Sequence, residues 1–288
     1  MADVTIKKFD PGSGVWYPTV LHDNGDGTYS EPIGGSVIVS DPSKLGTPVV
    51  VKFTRPAPTT GYTAHDNVGV ILDVTGATQA TPIVCTITQN HLLSDGDYVT
   101  ISGVGGNTAV NVSAYVKVTG YSATTFAMYS DKALTVPVAS NGAYSGAGVC
   151  ARLFRLKNLL RIAGGTAYIT KVNAVTDLKT WVDQFRIWFY SAPVPAILDN
   201  VEKTILYANV DKRLGYITMP AFFTLAAASD CASIEAVMGD GVSNAALAVY
   251  NTETIPGTDV WFMLEDLSTG TPAANQNFTF KFFADQNS

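Results

Sequence analysis

The sequence predicts an all-β protein: a jelly-roll-like β-sandwich body, a small β-barrel domain inserted into it, and an extended N-terminal arm. Three observations carry this expectation. Apolar residues recur with period two, clusters of Gly, Pro, Asn, Asp and Ser interrupt them at short intervals, and helical periodicity is scarce. In "TPIVCTITQ" Ile83, Cys85 and Ile87 share a face, in "AYVKVTGY" Val116 and Val118 do, and in "NFTFKFFAD" Phe278, Phe280 and Phe282 do. Successive side chains of a strand point to opposite faces, so these patterns mark half-buried strands.

Residues 1–40 are rich in Gly, Pro and Asp and read as an arm or small hairpin. Their "HDNGDGTYS" invites comparison with a calcium loop. Counted from Asp23, however, the third and fifth positions are Gly25 and Gly27, which offer no side-chain oxygen. Asp26-Gly27 is instead a tight-turn pair. The body, 41–78 plus 148–288, carries strand patterns at Val49–Thr54, Val68–Val74, Tyr168–Asp177, Trp181–Ser191 and Val260–Leu264. A short helix is expected over Ala196–Ala208; Leu225–Met238 reads either as helix or as strand and loop. Segment 79–147 holds only Asp95, Asp97, Lys117, Asp131 and Lys132 as charged residues, and small-residue stretches bracket it. It reads as the inserted β-barrel, closed on itself and dispensable for folding of the body, because exposed loop tips tolerate insertions.

Composition narrows function. A chain of 288 residues with 47% apolar and 15% charged residues folds around one large or two modest cores. Its net charge is −6 and it has no run of Lys or Arg, so neither nucleic acid nor an anionic membrane is an expected partner. Apolar runs fall short of the ~20 residues of a membrane helix, and "MADVTIKKFDPGSG" lacks the apolar centre of a signal peptide. Cys85, Cys150 and Cys231 are odd in number and far apart, which suits reduced thiols better than disulfides or a metal site. No metal or other cofactor is expected.

The stretch "QNHLLSDGDYVTISGVGGNTAVN", Gln89 to Asn111, concentrates a His, two acids and four glycines. A phosphate loop would need a Lys and a following helix, and strand follows instead, so the glycines and acids serve turns. His22, His65 and His91 fall in different turn regions without ligand spacing, and His91 reads as a turn residue capping a strand. Neither HExxH nor GxSxG occurs. Asp95 with Asp97, and Glu265 with Asp266, are the acid pairs; the first reads as a solvated turn. Arg152, Arg155 and Arg161 read as salt-bridge partners, and Arg55 as a surface or interface charge. No catalytic residue is assigned, and the chain is not expected to be an enzyme.

The segment "NHLLSDGDYVTISGVGGNTAVN…YVKVTGYSATTFAMY" resembles a small β-barrel repeat of tailed-phage virion proteins. It is also similar to the barrel part of the first catalytic cysteine half-domain of ubiquitin-activating enzymes. That resemblance implies a fold and no reaction, so Cys85 inherits no role. The flanking body, through Phe-Thr-Arg-Pro at 53–56, the Gly164-Gly165 link, the aromatic strand "FRIWFY" and Asp199-Asn200, resembles a family of phage structural proteins. The resemblance implies a virion protein on the capsid surface, made in the host bacterial cytoplasm. A decoration or cement protein that bridges major capsid protein subunits fits best; a head-fibre or tail module that binds the host or a glycan is the alternative.

Aromatic residues crowd both faces of the strand containing Phe185, Trp188, Phe189 and Tyr190, so one face needs a cover outside the core. A second sheet of the same chain or a neighbouring subunit could supply it. Capsid analogy favours a homotrimer. The expected interface residues are Trp16, Tyr17, Arg55, Trp188 and Tyr190, with Trp16 and Tyr17 on an arm that has too little core of its own to bury them.

Overall fold

A computed structural model describes residues 4–10, 15–21, 48–56, 60–178, 183–204, 206–224, 232–237, 246–271 and 273–287; for 4–10, 15–21, 223–224, 232–237 and 287 it describes the backbone only. The chain divides into two compact units, Met1–Lys44 and Leu45–Ser288. In the first, β1 (Val4–Asp10) and β2 (Val15–Leu21) form an antiparallel pair from Val4 opposite Leu21 to Asp10 opposite Val15. The turn around Asp26 lies outside the described residues.

The second unit is all β. Its strands are β3 (Val49–Thr54), β4 (Asn67–Val68), β5 (Ile71–Ala77), β6 (Val84–Ile87), β7 (Tyr98–Ser102), β8 (Ser113–Lys117), β9 (Thr125–Tyr129), β10 (Val149–Leu156) and β11 (Thr166–Thr176). There follow β12 (Phe185–Tyr190), β13 (Arg213–Met219), β14 (Phe223–Thr224), β15 (Ala232–Val237), β16 (Leu247–Tyr250), β17 (Val260–Asp266) and β18 (Asn277–Asn287). One sheet of the sandwich runs β13-β12-β17-β10, with β4 also on β17. The other runs β14-β15-β11-β18-β3, with β16 also on β11.

The sandwich core follows from the period-two rings. Phe185, Ile187 and Phe189 of β12 and Phe278, Phe280 and Phe282 of β18 are all buried. They meet across the gap: the Phe185 and Phe280 rings are 5.7 Å apart, Phe189 and Phe282 6.0 Å, Phe262 and Phe282 5.1 Å, and Phe53 and Phe154 4.6 Å. Facing sheets stand ~10 Å apart, a distance that rings from both sides fill.

The barrel is a closed ring of six strands, β5-β6-β9-β8-β7-β10 and back to β5. Closure hangs on β10. Its residues Val149–Ala151 pair with β5, Val149–Leu153 with β7 on the other edge, and Phe154–Leu156 continue onto β17 of the sandwich. Segment 79–147 therefore contributes β6 to β9, and the two strands that close the ring lie outside those bounds. Val74, Cys85, Val99, Val116, Met128 and Cys150 fill the interior and belong to the same contiguous apolar cluster as the sandwich rings.

Turn chemistry shapes the Gln89–Asn111 stretch as its glycines and acids suggest. Gly106 has φ +75° and stands so close to the Ala143 carbonyl that a Cβ would collide with it. Asn111 pairs with Val104 through both amide atoms at 2.8 Å, as a strand neighbour would. Asp95 accepts the Val118 N–H at 2.6 Å and the Thr119 N–H at 2.9 Å. The Leu93 N–H donates to His91 Nδ1 at 2.9 Å, so the neutral imidazole carries its hydrogen on Nε2, shared between the Ser122 and Thr125 carbonyls at 3.3 Å. His91 is a satisfied turn residue.

Two expectations change. Among the described residues of Ala196–Ala208 there is no α-helix: a 3-10 turn occupies Tyr207–Lys212, and residues 191–201 run as a strap without helical structure. Asn67 Nδ2 donates to the Ile197 and Leu198 carbonyls at 2.7 and 3.3 Å, side-chain bonds that compete with intrahelical ones. Of Leu225–Met238, residues 232–237 are strand β15, and the rest of that range lies outside the described residues.

Candidate interaction surface

The five expected interface residues separate. Trp16 and Tyr17 lie on β2, opposite Phe9 and Lys8, and their side chains lie outside the described part. Arg55 is not a surface charge: it is 1% exposed. Its Nη2 donates to Asp199 Oδ2 at 3.0 Å, its Nε donates to the Tyr62 hydroxyl at 2.6 Å, and that hydroxyl donates to Asp199 Oδ1 at 2.6 Å. Burial pushes the Asp199 carboxyl up, against the Gly69 N–H, Tyr62 and Arg55, which pull it down. A buried guanidinium is tolerable only when its hydrogen bonds are met, and this network meets them. Phe-Thr-Arg-Pro and Asp-Asn, remote in sequence, are thus joined by one buried ion pair, Arg55 with Asp199.

A second set of charges lies between barrel and sandwich. Arg152 meets Asp97 at 3.1 Å, Asp97 meets Arg155 at 2.9 Å, Arg155 meets Asp259 at 3.5 Å, Asp259 meets Lys132 at 3.3 Å, and Lys132 reaches Glu253. Signs alternate along the whole chain of contacts, so Asp97, Arg155, Asp259 and Lys132 each sit between two opposite charges. Asp97, 2% exposed, is not a solvated turn acid but one of the most deeply buried carboxylates among the described residues; Arg152 and Arg155 are salt-bridge partners as expected. Cys85 and Cys150 are free and buried, and burial pushes the Cys85 thiol up to about 12, well away from a reactive thiolate. Cys231 and His22 lie outside the described residues.

The uncovered aromatic face has an answer within the chain. Trp261, Met263 and Tyr190 point away from the sandwich core and pack with Val194 and Ala196 of the strap and with Tyr98 and Tyr115 of the barrel. The strap is pinned where the Ala196 N–H donates to Thr100 Oγ1 at 2.7 Å. Tyr190 is therefore 1% exposed, and its burial needs no second subunit. Its hydroxyl is buried without a hydrogen-bond partner. Burial raises this phenol's pKa, against Arg213, its cross-strand neighbour.

Trp188 stays partly open at the edge of this cover. Tyr216, opposite it on β13, has its ring 4.8 Å away, and three cations surround the indole: Lys203 at 3.9 Å, Arg213 at 5.2 Å and Arg186 at 5.6 Å. One carboxylate answers them. Glu265 binds Arg186 at 3.3 Å, the Trp188 indole N–H and His65 Nδ1 at 2.7 Å. Burial would raise Glu265, but the bonds from Trp188 and His65, with Lys203 and Arg186, outweigh it and hold the carboxyl low. Lys203 is pushed down to about 8, by burial first and by Arg213 and Arg186 beside it. Beyond Trp188, Leu206 is 59% and Tyr207 91% exposed. Sequence reading located Trp188 but missed its partners. Tyr216 was recoverable from period two on a neighbouring strand; Lys203 was not, because only the strap's path brings it there.

Among the described residues no group of three or more His, Cys, Asp or Glu is placed to hold a metal ion. Glu265 and Asp266, adjacent on β17, have separate surroundings; burial, with Asp183 nearby, pushes Asp266 up to about 7. Comparison with known proteins finds no matching family model and no matching curated protein.

Proposed function

We propose that the chain is a non-enzymatic structural protein of a tailed-phage virion, a capsid decoration or cement protein that bridges major capsid protein subunits. The observation that carries the adhesive part is the outer face around Trp188, where cations outnumber carboxylates beside the exposed Leu206 and Tyr207. Such a face suits binding better than turnover. The seam charges and the Arg55 network support it by holding that face on a stiff scaffold. The phage assignment comes from the sequence resemblance, whose Arg55 and Asp199 form one structural unit. The described residues of the arm form a two-stranded hairpin, which by itself is marginally stable in water, and this supports docking of the arm to another subunit.

Bound copies favour an intact lattice by mass action, by roughly 2.7 kcal/mol per site at a hundredfold excess over Kd. The test compares particles with and without the protein for DNA retention under heat and chelator. Leakier particles without it are expected. Equally robust particles that fail to adsorb to cells would replace the cement reading with host or glycan binding.

A further inference from the structure

Next to Trp188 is a cavity of about 110 Å³ walled by Tyr190, Val194, Ile197, Leu206 and Met263, with Thr204 and Asn209 also lining it. It is too small for the usual small-molecule ligand, whose sites run to ~300 Å³ and more, and has the scale of one side chain. Three independent features converge on it. The Tyr190 hydroxyl is buried without a hydrogen-bond partner, and leaving such a group unmet is costly. Arg213 is the cross-strand neighbour of Tyr190, Lys203 precedes the lining residue Thr204, and neither cation has a carboxylate within 4.0 Å among the described residues. Leu206, which walls the cavity, and Tyr207 beside it are exposed in a chain whose net charge is −6, so this cationic, apolar spot contrasts with the chain as a whole.

We propose that this surface receives an acidic segment of a partner protein: one side chain enters the cavity with its apolar stem against Ile197 and Met263, and a carboxylate settles between Lys203 and Arg213. The inference rests on the adhesive reading only in taking the partner to be a protein. A nucleic-acid backbone fits less well, because phosphate tracking needs a basic stripe and this patch is a spot.

The test uses the full chain labelled with 5-fluorotryptophan, with the Trp188 resonance assigned from a Trp188→Phe variant. Acetyl-Gly-Glu-Leu-Glu-Gly-amide should shift that resonance saturably. The Gln and Lys analogues should bind about tenfold more weakly or worse, as expected for losing two exposed ion pairs. Lys203→Glu with Arg213→Glu should abolish the acidic peptide's effect, and the milder Lys203→Gln with Arg213→Gln should weaken it with the far-UV spectrum unchanged. No shift with the acidic peptide, equal binding of the Gln analogue, or an equal shift with a dT oligonucleotide would each overturn the proposal. So would a change of oligomeric state in the charge-reversed protein, which would make a second copy the occupant. If the variants lose peptide binding yet still coat particles, the site stands and only its use on the shell falls.

Discussion

Barrel and sandwich share a strand and one continuous apolar cluster, yet they are filled differently. The barrel interior is lined by Val74, Cys85, Val99, Ala114, Val116 and Met128, and Phe126 is the single Phe of β5 to β9. The sandwich is filled by Phe53, Phe154, Phe185, Phe189, Phe262, Phe278, Phe280 and Phe282. A six-stranded ring encloses a narrow interior that aliphatic side chains and thiols fill, whereas two open sheets leave a wide gap that needs rings from both sides. Closure also removes the barrel's edges. The difference teaches that β10 changes environment along its length, from Cys150 in the barrel to Phe154 and Leu156 in the sandwich.

The sharpest way to break the comparison is to replace 79–147 with a Gly-Ser loop. The sequence alone suggested a dispensable insertion, but Asp97 lies between Arg152 and Arg155, Thr100 anchors the strap, and Tyr98 and Tyr115 pack on Trp261. The excised protein should fail to give a soluble, cooperatively melting body. A protein that melts like the parent would restore an autonomous barrel.

Next in size, Phe262→Ala in the sandwich should cost about 3–5 kcal/mol, whereas Cys85→Ala, which removes one sulfur from the barrel, should cost only about 1 kcal/mol. Urea denaturation of both variants decides it; equal losses would erase the distinction between the two cores.

A pH effect should belong to the barrel turn. Burial lowers the His91 pKa, opposed by its bonds to the Thr125 and Ser122 carbonyls. The folded state therefore binds a proton there less readily than the unfolded state, whose value is ~6.5. The stabilisation is complete above that value and is lost as pH falls from it toward the lower folded value. Melting temperatures between pH 8 and 5 should show a decline that His91→Gln reduces; an unchanged profile in the variant would count against this assignment.

The smallest effect concerns Leu92, 51% exposed with φ +49°. A non-glycine residue there is strained by ~1–2 kcal/mol, partly offset by the greater entropy that glycine gives the unfolded chain. Leu92→Gly should raise stability by about 1 kcal/mol or less. A loss on chemical denaturation would show that the exposed leucyl side chain contributes more than its backbone costs.

Much of the fold was legible because its signals are local. Period two located Ile83, Cys85 and Ile87, and Phe278, Phe280 and Phe282, on buried faces. Turn residues located turns at Asp95-Gly96 and Ser122, but only the second joins paired strands, β8 and β9; Asp95-Gly96 leads into β7 from a loop, and β6 and β7 do not pair. The expected interface was less legible. Trp188 lies beside the proposed docking surface, but Arg55 and Tyr190 are buried, since a charged or aromatic residue looks the same in sequence whether the chain covers it or not.

By itself the sequence determined an all-β chain, its main strands and the faces they bury, because pleating and turn stereochemistry act over a few residues. Only the tertiary structure decided which strands close the barrel, that Arg55 meets Asp199 across 144 positions, and that the 191–201 strap covers Trp261 and Tyr190. Each of these depends on which distant segments pair, and that choice is made by the joint burial of both partners, which neither segment encodes alone.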